Sequence, residues 1–175
     1  VNQSFNILYP RRINGDESYR LYYYRNFLLN VGPTATIIKR DIFSQLSGFR
    51  EEQFVSDTEM WLRLVAKCSS VLIPPGQIYW REHSGQQIFE ERKNLSIERR
   101  RQEINEIMLL SDSCPLPKEE AKTIVRNLRN IKCRRIVQNI FTGRIRYAFK
   151  RMQHLQLGWR DFLLAAKKNR FPPCS

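Results

Sequence analysis

The sequence contains no run of apolar residues that approaches the roughly eighteen needed to span a bilayer as a helix. It also begins without a charged segment followed by an apolar one, which is the pattern of a secretory leader. We therefore expect neither a membrane span nor secretion, and the cytoplasm is the predicted compartment. Because Val1 is not a natural start, we expect the chain to be a piece of a longer protein.

Cysteine and histidine are scarce, and their spacing excludes the common metal motifs. The four cysteines are Cys68, Cys114, Cys133 and Cys174, and none of them forms a CxxC pair. A disulfide framework stays open in principle, but reduced and partly buried thiols are the favoured interpretation, which agrees with a cytoplasmic setting. Of the two histidines, His154 falls in a helical and basic context, and we assign it no role.

Acidic residues are too few in the second half of the chain to balance the basic ones. The formal net charge is +13, from 30 Lys and Arg against 17 Asp and Glu. Residues 1–91 hold 10 of each sign, whereas residues 92–175 hold 20 basic and 7 acidic residues, so the second half carries the whole excess. This asymmetry indicates a separate role for the second half, such as contact with an anionic surface.

The 175 residues allow one domain or two small ones, and the periodicity changes near residue 90. Residues 1–90 mix short strands and helices, and residues 91–175 contain helical patterns. The predicted fold class is therefore α/β with few strands, followed by an α-helical C-terminal extension, so that the chain is mostly helical overall. Residues 1–16 look irregular; the predicted strands are 34–38, 71–73 and 77–82, and the predicted helices of the first part are 17–29, 40–46 and 56–67.

Helix-breaking residues divide the second part of the chain into successive amphipathic helices. Pro115-Leu116-Pro117 and Thr142-Gly143 mark the breaks. The predicted apolar stripes include Ile104, Ile107, Met108 and Leu110 in the first helix, residues from Ala121 to Ile140 in the second, and Ile145, Ala148, Met152 and Leu155 in the third. A last helix is predicted from Trp159 to Ala166.

The segment Ser56-Asp57-Thr58-Glu59 places two acids at the start of an amphipathic helix. A carboxylate held at a helix start can accept the proton of an attacking hydroxyl, which makes Asp57 a candidate general base. The structural alternative is that Ser56 and Glu59 form a capping box and that Asp57 simply favours the positive end of the helix dipole. The local sequence alone favours this structural alternative.

A longer series of motifs surrounds this helix. It comprises Gly32-Pro33-Thr34-Ala35-Thr36-Ile37-Ile38-Lys39-Arg40-Asp41-Ile42-Phe43, then Leu46-Ser47-Gly48-Phe49-Arg50-Glu51, then Ser56-Asp57-Thr58-Glu59-Met60-Trp61-Leu62-Arg63-Leu64, and it continues through Val71-Leu72-Ile73-Pro74 to Tyr79-Trp80-Arg81-Glu82-His83. In order and spacing this series resembles the acceptor-side half of the inverting, family 2 glycosyltransferases of GT-A type. The resemblance covers about a third of the chain.

The resemblance implies roles for individual residues. Asp57 corresponds to the family's general base, His83 to the histidine near the donor diphosphate and its metal ion, and Arg81 to a basic residue positioned toward the same phosphates. The implied cofactor is Mg²⁺ or Mn²⁺, with His83 as the residue of this chain in the metal's vicinity. Ser56 departs from the family's pattern, which has Glu before the catalytic Asp, so one carboxylate fewer organises the site.

The half of the family's domain that binds the nucleotide sugar is missing from this sequence, which contains no Asp-x-Asp motif. Donor binding and stabilisation of the leaving group depend on that half. We therefore expect a glycosyltransferase of hexosyltransferase type that is inactive as this isolated chain. The expected substrates of the whole enzyme are a nucleotide-sugar donor and a saccharide or lipid-linked acceptor.

Aromatic side chains offer a candidate acceptor surface, because their faces stack on sugar rings. Trp61 and Trp80 are the main candidates, and Thr34 is a third acceptor-binding candidate. Core packing is the alternative for both tryptophans. Arg63 lies one helical turn after Glu59, and an internal salt bridge explains its position.

The basic second half admits three interpretations. The first is a solvated charged face on a helical bundle, and the second is docking on an anionic membrane surface, with a peripheral position on the inner face of the membrane. The third is nucleic-acid binding, which is disfavoured because no nucleic-acid motif accompanies the basic clusters and aromatics are not interleaved with the basic residues. The alternative function is thus a non-catalytic, basic helical module that binds an anionic membrane surface or nucleic acid, and a homo-oligomer stays open.

Overall fold

The computed structural model describes residues 9–25, 28–29, 32–50, 55–74 and 94–166. The chain divides into two units, residues 1–84 and residues 85–175. Helices dominate the described residues of both units, and the two strands found among them form one small sheet. The predicted fold class, with few strands followed by a helical second part, is confirmed.

The described elements of the first unit follow the order strand, helix, 3₁₀ turn, helix, helix, strand. β1 spans Arg11–Ile13, α1 Gly15–Arg25, the 3₁₀ turn Pro33–Ala35, α2 Arg40–Gln45, α3 Ser56–Lys67 and β2 Ser70–Leu72. α3 begins and ends at the predicted residues, because acids in its first turn, a four-residue apolar period and Lys67 in its last turn all mark the same span.

β1 and β2 form the small antiparallel sheet, with Arg11 opposite Leu72 and Ile13 opposite Ser70. The strand predicted at 71–73 is therefore present with a shift of one residue. The irregular conformation predicted for residues 1–16 is wrong for residues 11–13, because pairing with a segment far along the chain makes this strand, and local propensity does not reveal such pairing. The strand predicted at 77–82 lies outside the described residues.

The strand predicted at 34–38 is wrong. Pro33 has a fixed φ and starts a 3₁₀ turn, in which Ala35 N donates to Gly32 O at 3.0 Å and Thr36 N donates to Pro33 O at 3.2 Å. Residues 36–39 leave this turn without strand pairing to any described residue. The alternation of small and β-branched residues predicted a strand, but in the structure Ile37 is exposed.

The core of the first unit lies between α1 and α3. Tyr19 is fully buried, and its hydroxyl donates to the carbonyl of Leu62 at 3.3 Å. Met60 and Val65 of α3 and Ile13 of β1 are buried as well. Burial of these apolar side chains stabilises the position of α3, whose first turn carries the candidate base.

Four helices make up the described part of the second unit: α4 (Leu95–Leu110), α5 (Lys118–Phe141), α6 (Ile145–His154) and α7 (Trp159–Ala166). α5 is the longest of them and contacts each of the other three. The breaks predicted at Pro115-Leu116-Pro117 and at Thr142-Gly143 are confirmed. Gly143 has a φ of +78°, a conformation that glycine adopts without strain at the end of a helix.

A hydrophobic core forms where α5, α6 and α7 meet. Its buried members are Cys133, Ile136, Ala148, Leu155, Leu157 and Ala165. Several positions of the predicted apolar stripes are instead exposed, namely Ile107 and Leu110 on α4, Ile131 on α5, and Ile140 and Ile145 beside the α5–α6 turn. The stripe predictions are wrong at these positions, and apolar side chains are left in contact with solvent at the α5–α6 turn.

Candidate functional site

The candidate base lies in the first turn of α3. Val55 is the N-cap residue, and its carbonyl accepts a hydrogen bond from Glu59 N at 3.1 Å. The capping box predicted for Ser56 and Glu59 is wrong, because Ser56 is already helical and the Glu59 carboxylate pairs with Arg63. Asp57 and Glu59 both lie at the positive end of the helix dipole, which favours their negative charge there.

Asp57 is half-buried, and one of its carboxylate oxygens is engaged locally. Oδ1 accepts a hydrogen bond from the backbone N of Thr58 at 2.7 Å, and the Thr58 hydroxyl lies 3.5 Å from the same oxygen. Oδ2 has no hydrogen-bond partner in the part of the chain that the structure describes. A carboxylate with one oxygen anchored and the other available fits a general base, which must reach the proton that it accepts.

The second acid of this turn, Glu59, belongs to an ion-pair network. Its Oε1 lies 2.8 Å from Arg63 Nε and 3.3 Å from a guanidinium nitrogen of Arg50, and its side chain is almost fully buried. The salt bridge predicted between Glu59 and Arg63 is confirmed. The other carboxylate oxygen, Oε2, is buried and has no hydrogen-bond partner among the described residues. Because two arginines share Oε1 and the side chain is almost fully buried, Glu59 serves the structure, and the half-buried Asp57 is the acid of the turn that is more accessible for chemistry.

Arg63 joins α3 to the end of α2. Its guanidinium donates to the carbonyl of Leu46 and, at 2.7 Å, to the carbonyl of Gly48. Carbonyls at the end of a helix lack intrahelical donors, so these hydrogen bonds satisfy acceptors that the helix leaves unpaired. Ser47 and Gly48 follow the C-cap Leu46 with φ of 58° and 59°, and Gly48 N donates to the carbonyl of Phe43 at 3.0 Å, which closes the end of α2. The result is a fixed turn held against α3.

Trp61 packs within a row of aromatic rings. Its centroid lies 5.7 Å from that of Phe49, which in turn lies 5.6 Å from that of Phe43, and both contacts are edge to face. Trp61 is only 2% exposed. Trp61 therefore packs in the core, as the alternative interpretation holds. An acceptor sugar could stack on its face only if the row of aromatic rings opened.

The remaining predicted site residues are not brought next to Asp57 by any described contact. Thr34 is exposed in the 3₁₀ turn, and no hydrogen bond joins it to Asp57 in the described ranges. Trp80, Arg81 and His83 lie outside the described residues. The structure therefore places Asp57 and Trp61 on one helix, and the residues predicted to face the diphosphate have no described geometry.

The described residues do not by themselves fit the metal ion that the resemblance implies. Across residues 9–25, 28–29, 32–50, 55–74 and 94–166, no three His, Cys, Asp or Glu side chains are grouped so as to hold an ion. Mg²⁺ requires several oxygen ligands, and near Asp57 the carboxylate of Glu59 is already taken by arginines. His83, the predicted metal-vicinity residue, lies outside the described ranges.

Sequence reasoning missed a set of polar contacts inside the second unit, which we call the polar seam. Three α4 residues pair with three basic residues from α5 and α6: Glu98 with Arg151 at 3.0 Å, Gln102 with Lys132 at 2.8 Å and Glu106 with Arg129 at 2.8 Å. Burial lowers the pKa of Lys132 to about 8. The four-residue spacing on α4 signals a common face, but the distant partners leave no signal in the local sequence.

The outer face of α6 is a second feature that sequence reasoning missed. In the segment Ile145-Arg146-Tyr147-Ala148-Phe149-Lys150 aromatic and aliphatic residues lie between and beside two basic residues, and all of its members except Ala148 are exposed. The expectation that aromatics are not interleaved with basic residues is therefore wrong for this helix. The amphipathic order of these six residues was the available signal.

None of the described helices combines the length and the apolar composition that crossing a bilayer requires. Comparison with protein-family models, with curated proteins and with solved structures finds no match to this chain.

Proposed function

We propose that this chain is the C-terminal, acceptor-side part of an inverting family 2 glycosyltransferase in which Asp57 is the general base. The observation that carries the proposal is the difference between the two acids in the first turn of α3. Asp57 keeps one carboxylate oxygen available, whereas Glu59 is buried against Arg63 and Arg50. A turn with one accessible carboxylate and one buried, arginine-paired carboxylate supports the motif resemblance, which assigns proton transfer to Asp57.

In the proposed reaction, the Asp57 carboxylate accepts the proton of an acceptor hydroxyl while the hydroxyl oxygen attacks the anomeric carbon of the donor sugar. The bond from that carbon to the diphosphate oxygen breaks, and the nucleoside diphosphate leaves with inversion at the carbon. In the whole enzyme, a divalent cation held outside the described residues would supply charge neutralisation of the diphosphate. We assign donor binding to a nucleotide-binding half with an Asp-x-Asp motif, which the 175 residues lack.

The residues around α3 act by holding Asp57 in position. Thr58 N anchors Oδ1, and Arg63 fastens the helix to the Gly48 turn. Trp61 and Phe49 pack edge to face beside the same helix. Such positioning matters to the rate, because a displacement of about 1 Å in a reacting group can cost about a hundredfold.

The test is nucleotide release by the intact gene product, measured with a panel of nucleotide sugars and Mn²⁺. Asp57→Asn preserves the size of the side chain and removes its basicity, so we expect release to fall by about a hundredfold or more. Asp41→Asn changes an exposed acid in the first turn of α2 and is the matched control, which should leave release unchanged.

Two results would count against the proposal in different ways. No release from the wild type with any donor would remove the support for a transferase. Release that Asp57→Asn leaves unchanged would keep the transferase and reject Asp57 as its base.

The second candidate function is a non-catalytic, basic helical module. It is favoured by residues 121–160, which contain eleven basic residues and no acidic residue. The upstream sequence of the gene separates the two candidates. A strand-rich half with an Asp-x-Asp motif supports the enzyme, and its absence from the gene supports the module.

A further inference from the structure

The second unit carries a surface in which apolar and cationic side chains lie side by side, at the α5–α6 turn and along α6. We name it the turn surface, and it comprises Phe141, Arg144, Ile145, Arg146, Phe149 and Lys150. Phe141 is 85% exposed, Ile145 51% and Phe149 54%. Ile145 and Phe149 are one helical turn apart, as are Arg146 and Lys150, so an apolar row and a basic row run next to each other along α6.

None of these side chains belongs to the hydrophobic core formed by α5, α6 and α7. α6 directs Ala148 and Leu155 into the hydrophobic core and pairs Arg151 with Glu98 of α4. The face of α6 that makes these contacts is distinct from the face that presents Ile145 and Phe149. Contiguous apolar side chains exposed beside polar ones are typical of a surface that contacts a partner.

The cations of the turn surface are not neutralised by carboxylates within the part of the chain that the structure describes. Arg144, Arg146 and Lys150 form no ion pair with any residue that the structure describes. No carboxylate lies within a helical turn of these cations in the sequence, because residues 121–160 contain neither Asp nor Glu. On α4, by contrast, Arg99 pairs with Glu103 at 2.8 Å. The uncompensated charges therefore create a positive potential at the place where apolar side chains are exposed.

We propose that the turn surface docks on an anionic lipid bilayer, with α6 lying in the plane of the interface. Phe141, Ile145 and Phe149 enter the boundary between headgroups and acyl chains, and the neighbouring cations contact the anionic headgroups. Lipid fits this surface better than nucleic acid does, because acyl chains accept all three apolar side chains, whereas the aliphatic Ile145 cannot stack on a base. The proposal is independent of the transferase assignment, since neither Asp57 nor a sugar donor takes part in it.

The test uses the 175-residue chain and sedimentation with phosphatidylcholine vesicles, with and without phosphatidylserine. We expect binding to the phosphatidylserine vesicles that weakens as salt is raised. The double variant Arg146→Glu/Lys150→Glu should weaken this binding by about tenfold or more, since each basic residue near the surface contributes to the attraction. Lys122→Glu/Arg126→Glu makes the same charge change at the same spacing on exposed positions of α5, and its effect should stay below about threefold.

A second pair of variants tests the apolar row. Phe149→Ser should lower vesicle binding by about fivefold or more, also at high salt where the electrostatic attraction is screened. Ile107→Ser is the matched control, because Ile107 is 60% exposed on α4 and lies outside the turn surface. Circular dichroism must show that each variant keeps the helix content of the wild type. If the double charge reversal changes the helix content, the variants Arg146→Gln and Lys150→Gln are used in place of the charge reversal.

Three results would overturn the proposal. One is equal loss of binding in the turn-surface variants and in their controls, and another is equal binding to vesicles with and without phosphatidylserine. The third is binding to a single-stranded oligonucleotide that is tighter than binding to phosphatidylserine vesicles, together with no effect of Phe149→Ser on the vesicles.

Discussion

Arg151 Nε donates to Glu98 Oε2 at 3.0 Å and so joins α6 to α4 across 53 residues of sequence. A second guanidinium nitrogen donates to the other carboxylate oxygen, which makes the pair bidentate. The Arg151 side chain is largely buried. Bidentate pairs of this kind are stronger and more specific in geometry than exposed ion pairs.

Arg151→Met leaves the Glu98 carboxylate partly buried without its partner. We expect the free energy of unfolding to fall by about 3 kcal/mol, because an uncompensated charge is then held away from water. The double variant Glu98→Leu/Arg151→Met should recover most of this loss, since no charge remains in the contact. Urea denaturation followed by circular dichroism measures both. Equal losses in the single and double variants would show that packing of the arginine stem, and not the stranded charge, sets the cost.

Arg63→Met should lower the free energy of unfolding of the first unit by about 2–4 kcal/mol, because it removes donors from two backbone carbonyls and leaves the buried Glu59 with the more distant, exposed Arg50 as its counter-charge. Arg20→Met is the control, since it breaks an exposed pair with Asp16 at the same four-residue spacing. Its cost should stay below about 0.5 kcal/mol. Chemical denaturation of both variants is the measurement, and a small cost for Arg63→Met would contradict its role in fixing the turn after α2.

Alanine substitutions at three glycines should give a graded series of stabilities. Gly48 and Gly143 have positive φ, so alanine is strained at both by about 1–2 kcal/mol. At Gly48 the new Cβ would also lie 3.0 Å from the Phe43 ring, so Gly48→Ala should cost the most. Gly158→Ala meets only an ordinary contact at 3.9 Å and should be close to neutral. Thermal denaturation ranks the three, and a destabilised Gly158→Ala would contradict the expected order.

Lys132 should make the stability of the second unit rise with pH. Burial lowers its pKa in the folded state to about 8 from 10.5, so between these values the unfolded state binds more protons than the folded state. The pKa of Cys133 is raised by burial to about 11 from 9.0, and it acts in the opposite sense between those values. Lys132→Met retains Cys133, so subtracting its unfolding free energy from that of the wild type isolates the lysine.

We expect this difference to shift in favour of the wild type as the pH rises from about 8 to about 10. Urea denaturation of both proteins at several pH values provides the measurement. A difference that is constant over this range would show that Lys132 keeps the same proton occupancy in the folded and unfolded states.

Local sequence patterns were enough to predict most of the helices. Features that depend on contacts with distant residues could not be predicted from them. The bounds of α3 and the pair of Glu59 with Arg63 follow from four-residue spacing alone. β1 could not be predicted, because three residues that include Arg11 and Arg12 form a strand only by pairing with β2. At residues 34–38 the effect of Pro33 on the backbone outweighed the alternating pattern.

The candidate site was predictable in part for the same reason. The motif series places Asp57 at a helix start, and the structure agrees. What distinguishes Asp57 from Glu59 is the engagement of Glu59 by Arg63, a residue that also holds the carbonyls of Leu46 and Gly48. Those backbone contacts depend on the angle at which α2 meets α3, and no local pattern encodes that angle.

In the polar seam a neutral amide stands between two carboxylates, and this order determines the register of the helices. Gln102 meets Lys132, and Glu106 meets Arg129 one turn along. If α4 slid along α5 by one turn, the amide would face the arginine and a carboxylate would lose its guanidinium partner. Apolar residues of similar size would tolerate such a slip, whereas these partly buried charges would lose their partners. The seam therefore selects one alignment of the bundle among several that its hydrophobic contacts alone would permit.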